Sequence, residues 1–176
     1  MSAVKAEQQE IDNAATLIGM SNNDDQYLTF ILDNEEYGID ILRVQEIKGW
    51  DKVTRIPNTP EFVQGVINLR GSIVPIIDLR QRFNIEKLEY GPTTVVIVLR
   101  VQDEDSDCIM GVVVDAVSDV YNIAKEQLRE IPPSFSSSIM ESVRCIATVN
   151  EKMVILLDVD HLLNADELTA LGSIDT

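Results

Sequence analysis

Residues 63–83, VQGVINLRGSIVPIIDLRQRF, and residues 143–163, VRCIATVNEKMVILLDVDHLL, align without a gap. In each stretch an apolar run reaches a short polar turn, a second apolar run follows, and an aspartate (Asp78, Asp158) opens a leucine-containing segment. Short Val- and Ile-rich runs broken by turn residues are strands, and an aspartate ahead of a helical turn is a cap. Each copy therefore reads as hairpin, cap and one turn of helix. An internal duplication constrains the architecture more than any single motif does.

The likeness continues upstream. Tyr37-Gly38-Ile39 through Val44-Gln45-Glu46-Ile47 parallels Met110-Gly111-Val112 through Val117-Ser118-Asp119-Val120, and Arg55-Ile56-Pro57 parallels Glu130-Ile131-Pro132. Residues 27–32 and 94–99 give each half an opening strand. The expected organisation is a polar leader (1–25), a first β-barrel lobe (26–92), a second (93–163), and a C-terminal helix and tail (164–176), with strand exchange between the lobes left open. Residues 93–101 and 109–117 are apolar on both faces, which suits strands enclosed in small barrels. No long amphipathic helix lies between the strands, which argues against a parallel α/β fold. Asn164-Ala165-Asp166-Glu167 has the spacing to cap the terminal helix.

Function is expected where the copies differ, and they differ most at the hairpin tips. Val149-Asn150-Glu151-Lys152 is ordinary turn chemistry. Asn68-Leu69-Arg70-Gly71 predicts an exposed Leu69 beside Arg70, with Gly71 free to take a positive φ.

Composition narrows the class. The 176 residues carry a formal charge of −16, which argues against nonspecific binding to nucleic acid or anionic lipid, since phosphate binding needs clustered Lys and Arg. Protein partners fit better. Eight of the 14 basic residues (Arg43, Lys48, Lys52, Arg55, Arg70, Arg80, Arg82, Lys87) fall between Arg43 and Lys87, so the first lobe can meet an acidic surface. The leader lacks the basic start and apolar run of a signal peptide, and no apolar run is long enough to insert in a membrane, so a cytoplasmic protein is expected.

Catalytic and metal chemistry is sparse. Cys108 and Cys145 lack metal-ligand or redox spacing and read as buried thiols. His161, the single histidine, aligns with Gln81 on the polar side of a short helix. Residues 103–107, DEDSD, carry carboxylates but lack the glycine and distal glutamate of a calcium loop. Gly65 and Gly71 lie on a hairpin with no following Gly-Lys-Ser/Thr, so they are structural hairpin glycines rather than a phosphate loop. No catalytic residue, metal ligand or cofactor is expected.

Taken together, Tyr37-Gly38-Ile39-Asp40-Ile41, Val44-Gln45-Glu46-Ile47, Thr54-Arg55-Ile56-Pro57, Gly65-Val66-Ile67-Asn68-Leu69-Arg70-Gly71 and Val74-Pro75-Ile76-Ile77-Asp78-Leu79-Arg80 resemble the CheW family of bacterial chemotaxis adaptors. The resemblance runs from about Tyr27 to the C-terminal helix. It implies a mainly β fold of two SH3-like five-stranded barrels around a groove. It also implies a non-enzymatic adaptor that joins the cytoplasmic tips of methyl-accepting chemoreceptors to the regulatory domain of the histidine kinase CheA in membrane-associated arrays. Carried over residue by residue, receptor binding falls on Arg70, with Asn68 and Leu69 beside it. Val44 and Glu46 lie on a groove-lining strand, and Val95 and Val96 are further candidates. A guanidinium suits such a surface because it can hold a carboxylate or several carbonyls at once. The competing expectation is a double-barrel module that binds a small metabolite in the inter-lobe groove.

Overall fold

The computed structural model describes residues 24–102, 107–131 and 142–163. The first half contributes β1 (Asp24–Leu32), β2 (Glu35–Asp40), a 3-10 turn at Ile41–Arg43, β3 (Val44–Gly49), β4 (Val63–Leu69), β5 (Ser72–Asp78) and the one-turn helix α1 (Leu79–Arg82). The second contributes β6 (Val95–Gln102), β7 (Asp107–Val114), β8 (Ala116–Ala124), β9 (Leu128–Arg129), β10 (Val143–Val149), β11 (Lys152–Leu157) and α2 (Val159–Leu162). The fold is mainly β.

Two sheets form, in the orders β8-β1-β2-β11-β10-β9 and β3-β6-β7-β5-β4. Each is assembled from both halves of the chain. β1 and β2 leave the first half and join β8 to β11; β6 and β7 leave the second and join β3 to β5. The exchange is reciprocal in its pairing. β1–β8 and β3–β6 are antiparallel, whereas β2–β11 and β5–β7 are parallel.

Glycine explains both parallel seams. Gly38 is paired with Leu156 and Gly111 with Ile76. A Cβ on Gly38 would stand 2.7 Å from the Leu156 side chain, and one on Gly111 would stand 2.6 Å from that of Ile76. The repeated Gly38 and Gly111 are therefore the points where an exchanged strand lets the other half's hairpin come close.

Burial follows the same logic. The largest cluster lies between the sheets and takes Phe30, Leu32 and Ile39 from one, Ile77, Ile97, Leu99 and Met110 from the other, and Leu79, Leu162 and Leu163 from or beside the helices. Two smaller clusters belong to one sheet each: Tyr27, Ile123, Val154 and Leu156 in the first, and Leu69, Val74, Val96, Val98 and Val113 in the second. β6 serves two cores at once, since Ile97 and Leu99 enter the shared cluster while Val96 and Val98 enter the local one. That is why its sequence is apolar on both faces.

Two ion pairs tie the halves together. Arg80 on α1 donates from Nε to Asp115 Oδ1 (2.7 Å) and from Nη2 to Asp115 Oδ2 (2.8 Å) at the β7–β8 junction. Asp160 on α2 accepts from Arg43 Nη1 (2.9 Å) and Nη2 (2.5 Å) at the β2–β3 junction. The capping aspartates behave as the duplicated pattern predicts. Asp78 Oδ1 accepts from Arg80 N (2.9 Å) and Asp158 Oδ1 from His161 N (3.2 Å).

Several details differ from the sequence reading. One sheet has six strands rather than five because the two-residue β9 pairs Arg129 with Ile146; its counterpart in the other sheet is the isolated bridge between Thr54 and Val66. β1 begins at Asp24, inside the span read as leader. Cys108 and Cys145 are half-buried rather than buried. Residues 103–106 of the acidic loop and the expected C-terminal helix and tail (164–176) lie outside the described residues.

Candidate functional site

The β4–β5 hairpin closes with a two-residue turn in which both central residues have positive φ, Arg70 at 51° and Gly71 at 91°. Such a turn matches the twist of its flanking strands. Asn68 Oδ1 accepts from Gly71 N (2.8 Å), which fixes the turn from the side. Leu69, expected to be exposed, is buried at 8% exposure against Val74, Val96 and Val98. It is the last inward-facing residue before the turn, as Val149 is in the second copy, also buried. The tip therefore offers solvent Arg70, not Leu69.

Arg70 is met there by Glu46. Nη1 and Nη2 lie 3.3 and 3.5 Å from Oε1 and Oε2 in a two-pronged contact, with the Arg70 side chain 76% exposed and that of Glu46 24%. A β-bulge in β3 makes this contact possible. The register steps from Val44 opposite Leu99 to Glu46 opposite Val98, so Glu46 and Lys48 share the face of Val98 and Val96 while Val44 packs on the shared core. Glu46 reaches the hairpin because one residue is spare.

The residues singled out from sequence thus divide between two faces. Arg70 pairs with Glu46, which shares the face of Val96, and Asn68 stands beside them at the hairpin tip. Asn68 and Val96 line a cleft of about 170 Å³ together with Lys48, Lys52, Thr54 and Ile67. Val44 and Val95 are half-buried on the opposite face, against the shared core. Lys48 and Lys52, counted from sequence among the basic residues that could meet an acidic surface, were not assigned to this cleft, although Lys48 stands two residues beyond Glu46 on a strand and so had to share its face.

Gly65 is the other hairpin glycine. Its φ is +146°, and a Cβ there would overlap the Thr54 carbonyl. Glycine at that position lets residue 54 exchange two hydrogen bonds with Val66, each 2.9 Å, and so carries the β3–β4 connection across the mouth of the cleft.

Among the described residues no group of three or more His, Cys, Asp or Glu side chains could hold a metal ion, and no helix is long and apolar enough to cross a membrane.

The CheW-like domain profile matches residues 26–167. This chain belongs to the CheW-like domain family. Its curated relatives include the chemotaxis protein CheW of Klebsiella aerogenes, 46% identical over 149 residues that span 85% of this chain and 87% of the relative. The chemotaxis protein CheW of Treponema pallidum is 31% identical over 163 residues, covering 89% and 94%. The crystal structure of the scaffolding protein TtCheW from Thermoanaerobacter tengcongensis superposes with a TM-score of 0.72 at 34% identity, covering 81% of this chain and 94% of that one. The CheW-like segment includes the exchanged architecture, except the first two residues of β1, and the Arg70–Glu46 tip.

Proposed function

We propose that this chain is a non-enzymatic chemotaxis adaptor that joins methyl-accepting receptor tips to the histidine kinase CheA, working in the cytoplasm at membrane-associated receptor arrays. The observation that carries this reading is the Arg70–Glu46 pair beside the cleft of Asn68 and Val96, in a chain of the CheW-like family. Family membership supports the adaptor role; the pair supports the choice of receptor face.

The energetics suit an exchangeable contact. An exposed ion pair contributes on the order of 0–1 kcal/mol, so Arg70 can leave Glu46 for a receptor carboxylate or carbonyl at small cost. In the resting state Glu46 limits the rotamers of Arg70, so less freedom is lost on docking. Coupling then needs no covalent step. A helix held at the cleft shifts the strands around it, and a second face passes the shift to the kinase. Individually weak contacts add through the many copies of an array.

Co-sedimentation with receptor-containing membranes and CheA, with kinase activity recorded in the same samples, tests the reading. Wild type is expected to carry CheA to the membranes. Arg70→Ala is expected to lower receptor association at least tenfold while its melting temperature stays within about 2 °C, the shift that roughly 0.5 kcal/mol produces in a domain of this size. Unchanged association in folded Arg70→Ala and Glu46→Ala variants would remove the tip from the receptor face.

A further inference from the structure

A second cleft, of about 310 Å³, lies away from the Arg70 tip, between the β3–β4 connection and the segment after α1. Arg55, Lys87, Gln64, Gln81 and Asn58 line it, with Glu61 as the one acidic residue of the lining.

The cations here are held differently from those that build the fold. Arg80 and Arg43 are neutralised by Asp115 and Asp160. Lys87 is instead positioned by neutral groups. Its Nζ donates to Gln64 Oε1 (3.2 Å) and stands 5.5 Å from the centre of the Tyr90 ring. Gln64 is itself fixed, being 9% exposed and donating from Nε2 to Gln81 Oε1 (2.7 Å). Tyr90 is fixed too, because its hydroxyl donates to the buried Asp78 and its ring packs 4.3 Å from that of Trp50. Among the described residues neither Arg55 nor Lys87 lies within ion-pair distance of a carboxylate. In a chain with 30 acidic residues and only 14 basic ones, two cations kept apart from carboxylates in one polar cleft are available to an outside anion.

We propose that this cleft binds carboxylate ligands through Arg55 and Lys87, with Gln64, Gln81 and Tyr90 holding Lys87 in position. Arg55 supplies a planar fork and Lys87 a point charge, a combination that suits two carboxylates on one ligand. Two sources share that chemistry: a free dicarboxylate, or an acidic peptide segment of a partner protein. The site does not depend on the receptor reading, because it shares no lining residue with the cleft beside Arg70.

Trp50, the single tryptophan, packs on Tyr90 and so reports on the cleft. The test titrates the full chain with succinate and, separately, with a hexaglutamate peptide, at low and moderate salt, following Trp50 emission and heat of binding. Saturable binding of either probe is expected, with at least tenfold weaker binding in Lys87→Glu and in Arg55→Glu and little change in the remote control Lys125→Glu. Binding of both probes or of succinate assigns a small-molecule site; binding of the peptide alone assigns a protein-docking site. No saturable binding of either probe, or equal weakening by Lys125→Glu, overturns the proposal. Both cleft cations are exposed, so the variants are expected to fold, and circular dichroism verifies it.

Discussion

The β4–β5 and β10–β11 hairpins share a backbone and differ in chemistry. Both close through two-residue turns with positive φ at each central residue, Arg70 and Gly71 in one, Asn150 and Glu151 in the other. Both carry a register shift near their start, between Val63 and Gly65 and between Val143 and Cys145. Both end in an aspartate-capped turn of helix and present one exposed apolar side chain past the tip, Ile73 or Met153. The differences lie in what stands on that frame: a guanidinium paired with Glu46 against a polar tip, glycine against Cys145 at the bulge, and Arg80 against Asp160 on the helix. The two copies thus share a scaffold and differ in the side chains it presents.

The bulge is where breaking this likeness should cost most. Gly65→Ala is expected to destabilise by about 3 kcal/mol or more, since the added Cβ meets the Thr54 carbonyl in a backbone region that disfavours side chains. At the aligned position, Cys145→Ala removes only a half-buried thiol and is expected to cost about 1 kcal/mol or less. Urea unfolding of the two variants measures the contrast. Equal losses would show that the Thr54–Val66 bridge adds nothing that the second copy lacks.

The helix clamps come next. Arg80 is 11% exposed at its side chain and Asp115 20%, so Arg80→Ala is expected to cost roughly 2 kcal/mol; Arg43→Ala, whose pair is more exposed, should cost less. Burial alone pushes the Asp115 carboxyl up. The hydrogen bonds from Arg80 and the Asp33 N–H, with the Arg80 charge, outweigh it and hold the group below its ordinary value. A carboxyl lowered on folding contributes stability that is complete above its ordinary value and lost as the pH falls from there through the lowered value, here below about pH 4. Asp115→Asn should therefore flatten the acid limb of the stability profile, as read by urea midpoints from pH 2 to 6. A profile identical to wild type would mean that the clamp forms no tighter than an exposed pair.

Much of this was legible in the chain. The duplication, the mainly β class, both caps and the hairpin glycines follow from local pattern, because turns and caps are set by neighbouring residues. The partner of each exchanged strand was not legible, since exchange depends on contacts between residues 35 or more positions apart, such as Ile77 with Val112 once β5 and β7 meet in parallel. Leu69 was misread for a related reason. A tip residue looks exposed until the turn is known to hold only two residues, which makes Leu69 the last inward position of its strand. The clamps left a signal that was passed over. Arg80 and Asp160 occupy the same place in the two aligned stretches with opposite charge, and each meets its own counter-charge on the other half, Asp115 for Arg80 and Arg43 for Asp160. Two copies of the first half exchanged in the same way would set Arg80 toward the junction that carries Arg43, so the reversal also favours pairing of unlike halves.

The smallest expected change in stability gives the sharpest comparison of the tips. Grafting the first tip onto the second, Asn150→Arg with Glu151→Gly, keeps the turn, because the φ angles of 50° and 66° already match the 51° and 91° of the first. The stability change should lie within about 0.5 kcal/mol, with glycine relieving the positive φ of Glu151. An acid also stands where Glu46 does, since Asp119 is its aligned counterpart. Yet Asp119 is one methylene shorter, and its Oδ1 already accepts from Val120 N (2.8 Å). In an Arg70→Ala background the graft is therefore expected not to restore co-sedimentation with receptor membranes. Recovery would mean that a tip arginine is sufficient wherever the hairpin presents it, and that Glu46 and the adjoining cleft add no selectivity. Continued failure in a folded graft would assign receptor choice to the bulged β3 strand, which brings a carboxylate within reach of the guanidinium on one copy only.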